Sequence, residues 1–283
     1  TDIRIKPLYR LGETGGLSFE WTGADTGRVR LKLRDTFGID PNEIKLLDIR
    51  GNEVASGATY DNTSGMLSME VRNIQSNSPY RLKTSHTNAK VDLYSDWFNA
   101  ISVRAPIIDK PSGSYYGSMN VNVTAPTGTE VFYKTGSAEI YSGSEGTAFS
   151  GDPIAVDGKN SSLTLRARKS DKQGVTIWST PVTATWTKLD TLPTPIVRFY
   201  DGENEVMPDS NNTVLFHEKL TVVLSKPSPW PVNAEMHYST GGVSNILYKT
   251  PVEYTSAGTL RVYAVAALAD GGTPGGGRVD YTI

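Results

Sequence analysis

The chain has 283 residues with 28 basic and 30 acidic side chains; a net charge of −2 leaves no electrostatic footprint for nucleic acid or an anionic membrane. Cysteine is absent, which excludes disulfide scaffolds, cysteine metal sites and thiol nucleophiles. No apolar run approaches the ~18 residues of a membrane span, and no leader is read ahead of Thr1.

Along the chain a period of two recurs and almost nothing reads as helix. Arg28-Val29-Arg30-Leu31-Lys32-Leu33-Arg34 alternates basic and apolar, the pattern of a half-buried antiparallel strand. Asp40-Pro41-Asn42-Glu43-Ile44-Lys45-Leu46-Leu47 is the one stretch that offers a helix, with an N-cap and a first-turn proline; 44–49 reads equally as a strand, and strand is preferred. Met119-Asn120-Val121-Asn122-Val123-Thr124 alternates again, as do Leu163-Thr164-Leu165-Arg166-Ala167-Arg168 and Leu260-Arg261-Val262-Tyr263-Ala264. The spacing predicts Val121, Val123, Tyr133, Leu163, Leu165 and Ala167 inward, with Asn122, Thr164 and Arg166 in water. Glycine-bearing turns separate these runs, and many short strands with frequent turns imply β-sandwiches. Proline-bearing joints at Arg104-Ala105-Pro106-Ile107 and Lys188-Leu189-Asp190-Thr191-Leu192-Pro193-Thr194-Pro195 divide the chain into 1–104, 105–189 and 190–283.

The second and third segments repeat one unit. Pro106-Ile107-Ile108 matches Pro195-Ile196-Val197. Glu130-Val131-Phe132-Tyr133-Lys134-Thr135-Gly136 matches Glu235-Met236-His237-Tyr238-Ser239-Thr240-Gly241. Asp152-Pro153-Ile154 matches Thr250-Pro251-Val252, and Leu163-Thr164-Leu165-Arg166-Ala167 matches Leu260-Arg261-Val262-Tyr263-Ala264. This series resembles the chitobiase/β-hexosaminidase C-terminal-type Ig-like domain over about 105–283. That family's "I-Y-Y-T-x-D-G" turn stands here without its Asp in both copies. The first segment resembles Ig and fibronectin modules in strand pattern only. The resemblance implies an all-β chain of three tandem Ig-like, fibronectin III-like antiparallel sandwiches. It also implies accessory, non-catalytic modules of the kind found on secreted glycoside hydrolases, bacterial surface proteins and phage structural proteins.

The residues themselves argue against catalysis. None of His86, His217 and His237 has a second ligand at metal spacing, so surface or packing roles are expected. There is no G-x-S-x-G elbow, and the acids are scattered as solvated residues are. Asp201-Gly202-Glu203-Asn204-Glu205 reads as a hairpin tip, and 271–277 as a long connection before the last strand. Trp21, Trp97, Trp178 and Trp186 lie in or beside alternating runs and read as core. Tyr115 and Tyr116 beside turn glycines, and Trp230 in Pro227-Ser228-Pro229-Trp230-Pro231, are the candidate ligand contacts.

The expectation is therefore a non-enzymatic protein without cofactor or metal. The first reading is a structural or adhesive component of a particle surface, such as a phage head decoration, neck or tail appendage. The alternative is a carbohydrate-binding or spacer region of a secreted glycoside hydrolase or bacterial surface protein. Its expected partners are other proteins of an assembly (capsid, neck or tail) or cell-surface glycans. Arg28, Arg30, Lys32 and Arg34, four like charges along one strand, are the candidate docking face toward an acidic partner.

Overall fold

The computed structural model describes residues 9–13, 15–33, 38–136, 138–141, 143–157 and 162–283. It is all-β: among the described residues the one helical element is the 3-10 turn Pro41–Glu43. Asp40 caps that turn by accepting from the Asn42 amide, and the strand Lys45–Asp48 follows it. By compactness the chain groups into two units. One comprises Thr1–Ile107, Thr124–Gly151 and Leu163–Thr183, and the other Ile108–Val123, Asp152–Ser162 and Ala184–Ile283. Segment 105–189 thus contributes to both.

In the first unit, one sheet runs Tyr9–Arg10, Val91–Tyr94, Pro79–His86, Lys45–Asp48, Glu53–Ser56, with the first pair parallel. In the other sheet, Leu17–Trp21, Gly27–Lys32, Met66–Val71 and Thr59–Asp61 lie side by side, antiparallel. Val29, Leu31 and Leu33 point inward as the alternation requires, beside Phe19, Leu46, Leu67, Met69 and Leu82. Phe19 stacks on Phe98 at 5.6 Å between ring centres. The Tyr80 hydroxyl accepts from the Gln75 amide, a tyrosine corner of the kind that closes Ig-like sandwiches. Trp97, expected in the core, is half-buried beneath the Arg81 guanidinium instead.

The second of these sheets continues into the later segments of the unit. Thr176–Trp178 pairs in parallel with Leu17–Trp21, aligning Trp178 with Glu20. Ser162–Ser170 pairs with Thr176–Trp178 on one side and with Glu130–Thr135 on the other. Leu163, Leu165 and Ala167 are buried as expected, and Tyr133 is half-buried. Thr164 and Arg166, expected in water, are buried as well. The outward face of their strand is covered, and the alternation of side chains no longer separates inside from outside.

The second unit contains a complete sandwich. One sheet has the order Asn204–Val206, Ile196–Asp201, Leu220–Ser225, Val252–Tyr254; the other has Val243–Leu247, Ala234–Thr240, Thr259–Ala266, Gly275–Thr282. This division of strands is that of Ig-like and fibronectin III-like domains. Phe199, Leu220, Val222, Leu260 and Val262 fill the space between the sheets. The acidic stretch from Asp201 does form a hairpin turn. The glycine run departs from expectation: the turn ends at Gly272, and Gly275, Gly276 and Gly277 lie in the last strand. Close approach of Leu192 and Pro193 explains Gly276 and Gly277, whereas Gly275 meets only ordinary contacts. A Cβ on Gly277, whose φ is +54°, would collide with the Pro193 carbonyl. Within the same unit Met119–Val121 pairs with Ile154–Val156, and Gly113–Tyr116 runs parallel to Trp186–Leu189.

Candidate functional site

The basic strand of the first unit meets its acids inside the chain. Register places Glu20 opposite Arg28 and Arg28 opposite Glu70. Glu20, 2% exposed, binds Arg30 through one carboxylate oxygen and accepts from Arg166 Nη1 at 2.6 Å through the other. Glu139 bridges Arg28 and Arg30, each at 3.0 Å. Arg30 also donates to Ser68 Oγ at 3.1 Å and lies 4.0 Å from the centre of the Tyr141 ring. Lys32 donates to the Ser64 carbonyl. Burial draws the Arg166 guanidinium below its ordinary value, against the pull of Glu20. Burial works against Glu139, yet Arg28, Arg30 and Arg166 hold its carboxyl below the usual range. Arg28, Arg30 and Lys32 are therefore already partnered, and Arg30 is buried, so they do not form a free docking face. Arg34 lies outside the described residues.

The aromatic candidates are also drawn inward. Tyr115 is wholly buried in a strand, where its ring offers no face to a ligand, and burial holds its phenol above the ordinary value. Tyr116 and Trp230 pack on Leu192, Ala234, Ala264 and Ala266, and Trp230 Nε1 donates to the Ala234 carbonyl at 2.9 Å. Asn233 fastens this corner. Its Oδ1 accepts from the Tyr116 amide at 3.0 Å, and its Nδ2 lies within 3.2 Å of the Tyr116, Ser118 and Ala267 carbonyls.

A different hollow opens on the outer face of the Ala234–Thr240 and Thr259–Ala266 strands. Alternation sends Met236, Tyr238, Leu260 and Val262 to the core, so Glu235, His237, Tyr263 and Val265 face outward. His237 stands opposite Tyr263, and their rings stack at 6.1 Å with 28° between planes. Although outward, His237 is only 9% exposed, and its Nδ1 has no hydrogen-bond partner among the described residues. Its Nε2 lies 3.7 Å from the Glu235 carboxylate. Asn245, Thr273 and Gly275 complete a hollow of about 430 Å³. The Tyr263 hydroxyl reaches Ser239 Oγ at 3.4 Å, where the outer face passes into a second hollow beside Arg261 and Asp280.

Sequence reading gave His237 a surface or packing role without seeing this site. The signal was in the repeat: His237 stands where the other copy has Phe132, and Tyr263 where it has Arg166. Of the other histidines, His86 Nδ1 accepts from the Ala89 amide, and the exposed His217 binds Asp201 at 2.6 Å. Among the described residues no three His, Asp or Glu side chains are grouped to hold a metal.

No protein-family model and no curated protein matches the chain. Among solved structures it is similar to the fibronectin(III)-like modules of Clostridium thermocellum CbhA, at 14% identity over 63% of this chain and 92% of theirs, with a TM-score of 0.33. It is also similar to native alpha-2-macroglobulin from Escherichia coli spanning domains MG0-NIE-MG1, at 9% identity over 92% and 94% of the two chains, with a TM-score of 0.28.

Proposed function

We propose that the chain is a non-catalytic structural protein of a particle surface, a virion component such as a head decoration, neck or tail appendage. In this reading it is built from three Ig-like modules, 1–104, 105–189 and 190–283, and its partners are other proteins of the same assembly. The observation that supports it is the use made of buried charge. Glu20, Arg30 and Arg166 brace strands far apart in sequence against one another instead of converging on a cleft. Such a brace suits a part that bears load.

A second reading is a carbohydrate-binding or spacer region of a secreted glycoside hydrolase or bacterial surface protein. It is favoured by the hollow at His237 and Tyr263 and by the chitobiase-type motifs of the two repeats.

Because 1–104 is braced by residues of 130–178, the test uses the full chain. Antibody raised against it is applied to a density gradient of the source culture. The first reading expects the chain in the fraction of nucleic-acid-containing particles, with gold label on their surface. Recovery only from the cell envelope or the secreted soluble fraction would overturn that reading in favour of the second.

A further inference from the structure

The geometry points to a glycan-binding site on the outer sheet face of the third repeat, centred on His237 and Tyr263, that takes a neutral oligosaccharide. The inference concerns this repeat alone and rests on the non-catalytic reading, whether the chain belongs to a virion or to a cell surface.

The two repeats present the same sheet position in opposite conditions. In the middle repeat, Phe132 faces Arg166, and both are covered: Phe132 packs with Ile140 and Trp178, and Arg166 is held by Glu20. In the third repeat the paired positions carry His237 and Tyr263, and the hollow above them is open. A histidine in that place is a poor choice for packing alone, because its buried Nδ1 is left without a partner among the described residues.

The lining then selects the ligand class. His237 and Tyr263, stacked on one another, give the hollow an aromatic wall against which the apolar C–H surface of a sugar can pack. Glu235, Asn245 and Thr273 are exposed around it and supply carboxylate, amide and hydroxyl groups for sugar hydroxyls. Gly275, opposite Val265, brings no side chain to the neighbouring strand and leaves that side low. The volume of about 430 Å³ lies within the range of small-molecule sites, on the order of 300–1,000 Å³. An anionic ligand would meet the Glu235 carboxylate, while Arg261, which lines the second hollow, is bound to Asp280 at 2.7 Å. A neutral sugar meets no such opposition. The second hollow beyond Ser239 continues the same face, so a chain of several sugar units has room to extend.

The experiment titrates the ¹⁵N-labelled full chain with β-1,4-linked tetrasaccharides of glucose and of N-acetylglucosamine, with tetragalacturonate as the acidic comparison. Calorimetry runs alongside. Saturable shifts at Glu235, His237, Asn245 and Tyr263 with a neutral tetrasaccharide are expected. Tyr263→Ala should weaken binding at least tenfold and Asn245→Ala several-fold, whereas Tyr263→Phe should retain most of it. Asn245 is exposed but has a φ of +61°, so Asn245→Gly, which suits that backbone, should show the same loss as the alanine variant. Absence of binding by either neutral tetrasaccharide would overturn the inference. So would binding that Tyr263→Ala and the Asn245 variants leave unchanged, tighter binding of the acidic sugar, or occupation of this face by a second copy of the chain. The particle assignment is read from the density gradient, so either conclusion can fail without the other.

Discussion

Glu20 and Arg166, 146 positions apart, share a buried ion pair at 2.6 Å, and Arg30 binds the other oxygen of the same carboxylate. Two guanidinium groups on one buried carboxylate couple the strand Leu17–Trp21 to Ser162–Ser170. Replacing Glu20 with Gln keeps the volume and removes the charge both arginines face. Breaking a buried pair from one side costs about 3–5 kcal/mol. Glu70→Gln removes an exposed partner of Arg28 and should cost no more than about 1 kcal/mol. Urea unfolding of the two variants should separate them; equal midpoints would show that the buried carboxylate is not a brace.

Tyr133 stands opposite Leu165, and Tyr238 stands opposite Val262 in the same register. Leu165 is fully buried, so Leu165→Ala should destabilise by about 2–5 kcal/mol. A change below about 0.5 kcal/mol in chemical denaturation would mean that its face of the strand is not core.

Asn233 serves four backbone groups, those of Tyr116, Ser118 and Ala267. In Asn233→Ala these groups lose their partner in a buried corner, and a loss of about 2–4 kcal/mol is expected. Hydrogen exchange of the Tyr116 amide should accelerate in the variant more than that of amides in the Phe199–Val262 core. Unchanged protection at Tyr116 would refute this account.

Gly277 and Gly271 both have positive φ, +54° and +86°, yet only Gly277 has backbone pressed against the place of a Cβ. Gly271→Ala meets open space and should cost about 1 kcal/mol, from conformation alone. Gly277→Ala must also displace the chain at Pro193 and should lower the melting temperature clearly more. Equal losses would show that φ, not the approach of Pro193, selects glycine there.

His217 and Asp201 form an exposed pair whose effect depends on pH. The hydrogen bond to Asp201 raises the His217 imidazole above its ordinary value, and the hydrogen bond from His217 lowers the Asp201 carboxyl. The histidine contribution is fully present below its unfolded pKa and is lost as pH rises through the raised folded one. The aspartate contribution is present above its unfolded pKa and is lost as pH falls through the lowered folded one. The pair therefore stabilises most at mildly acidic pH, between those two limits. In an NMR titration Asp201→Asn should bring the His217 midpoint down; an unmoved midpoint would remove Asp201 as the cause.

The repeat, the cap at Asp40 and the inward faces of the strands were legible in the sequence because each is a local property. A strand sends alternate side chains to opposite faces, whatever lies beyond it. So Val29, Leu31, Leu165 and Val262 could be assigned to the core from spacing alone. Sequence could not tell what would cover the other face. Arg30 read as part of an outward docking face and Arg166 as solvated, and both are buried where segments distant in sequence meet: Glu139 reaches Arg30, and Glu20 binds Arg166. Tyr115 beside turn glycines read as exposed, yet its strand pairs with Trp186–Leu189 and its ring is enclosed. The run at Gly275 read as a connection, and it opens the last strand, where Gly276 and Gly277 answer the approach of Leu192 and Pro193. In each case alternation was set by the chain's own geometry, and the environment of the second face was set by non-local contacts, which only the tertiary structure decided.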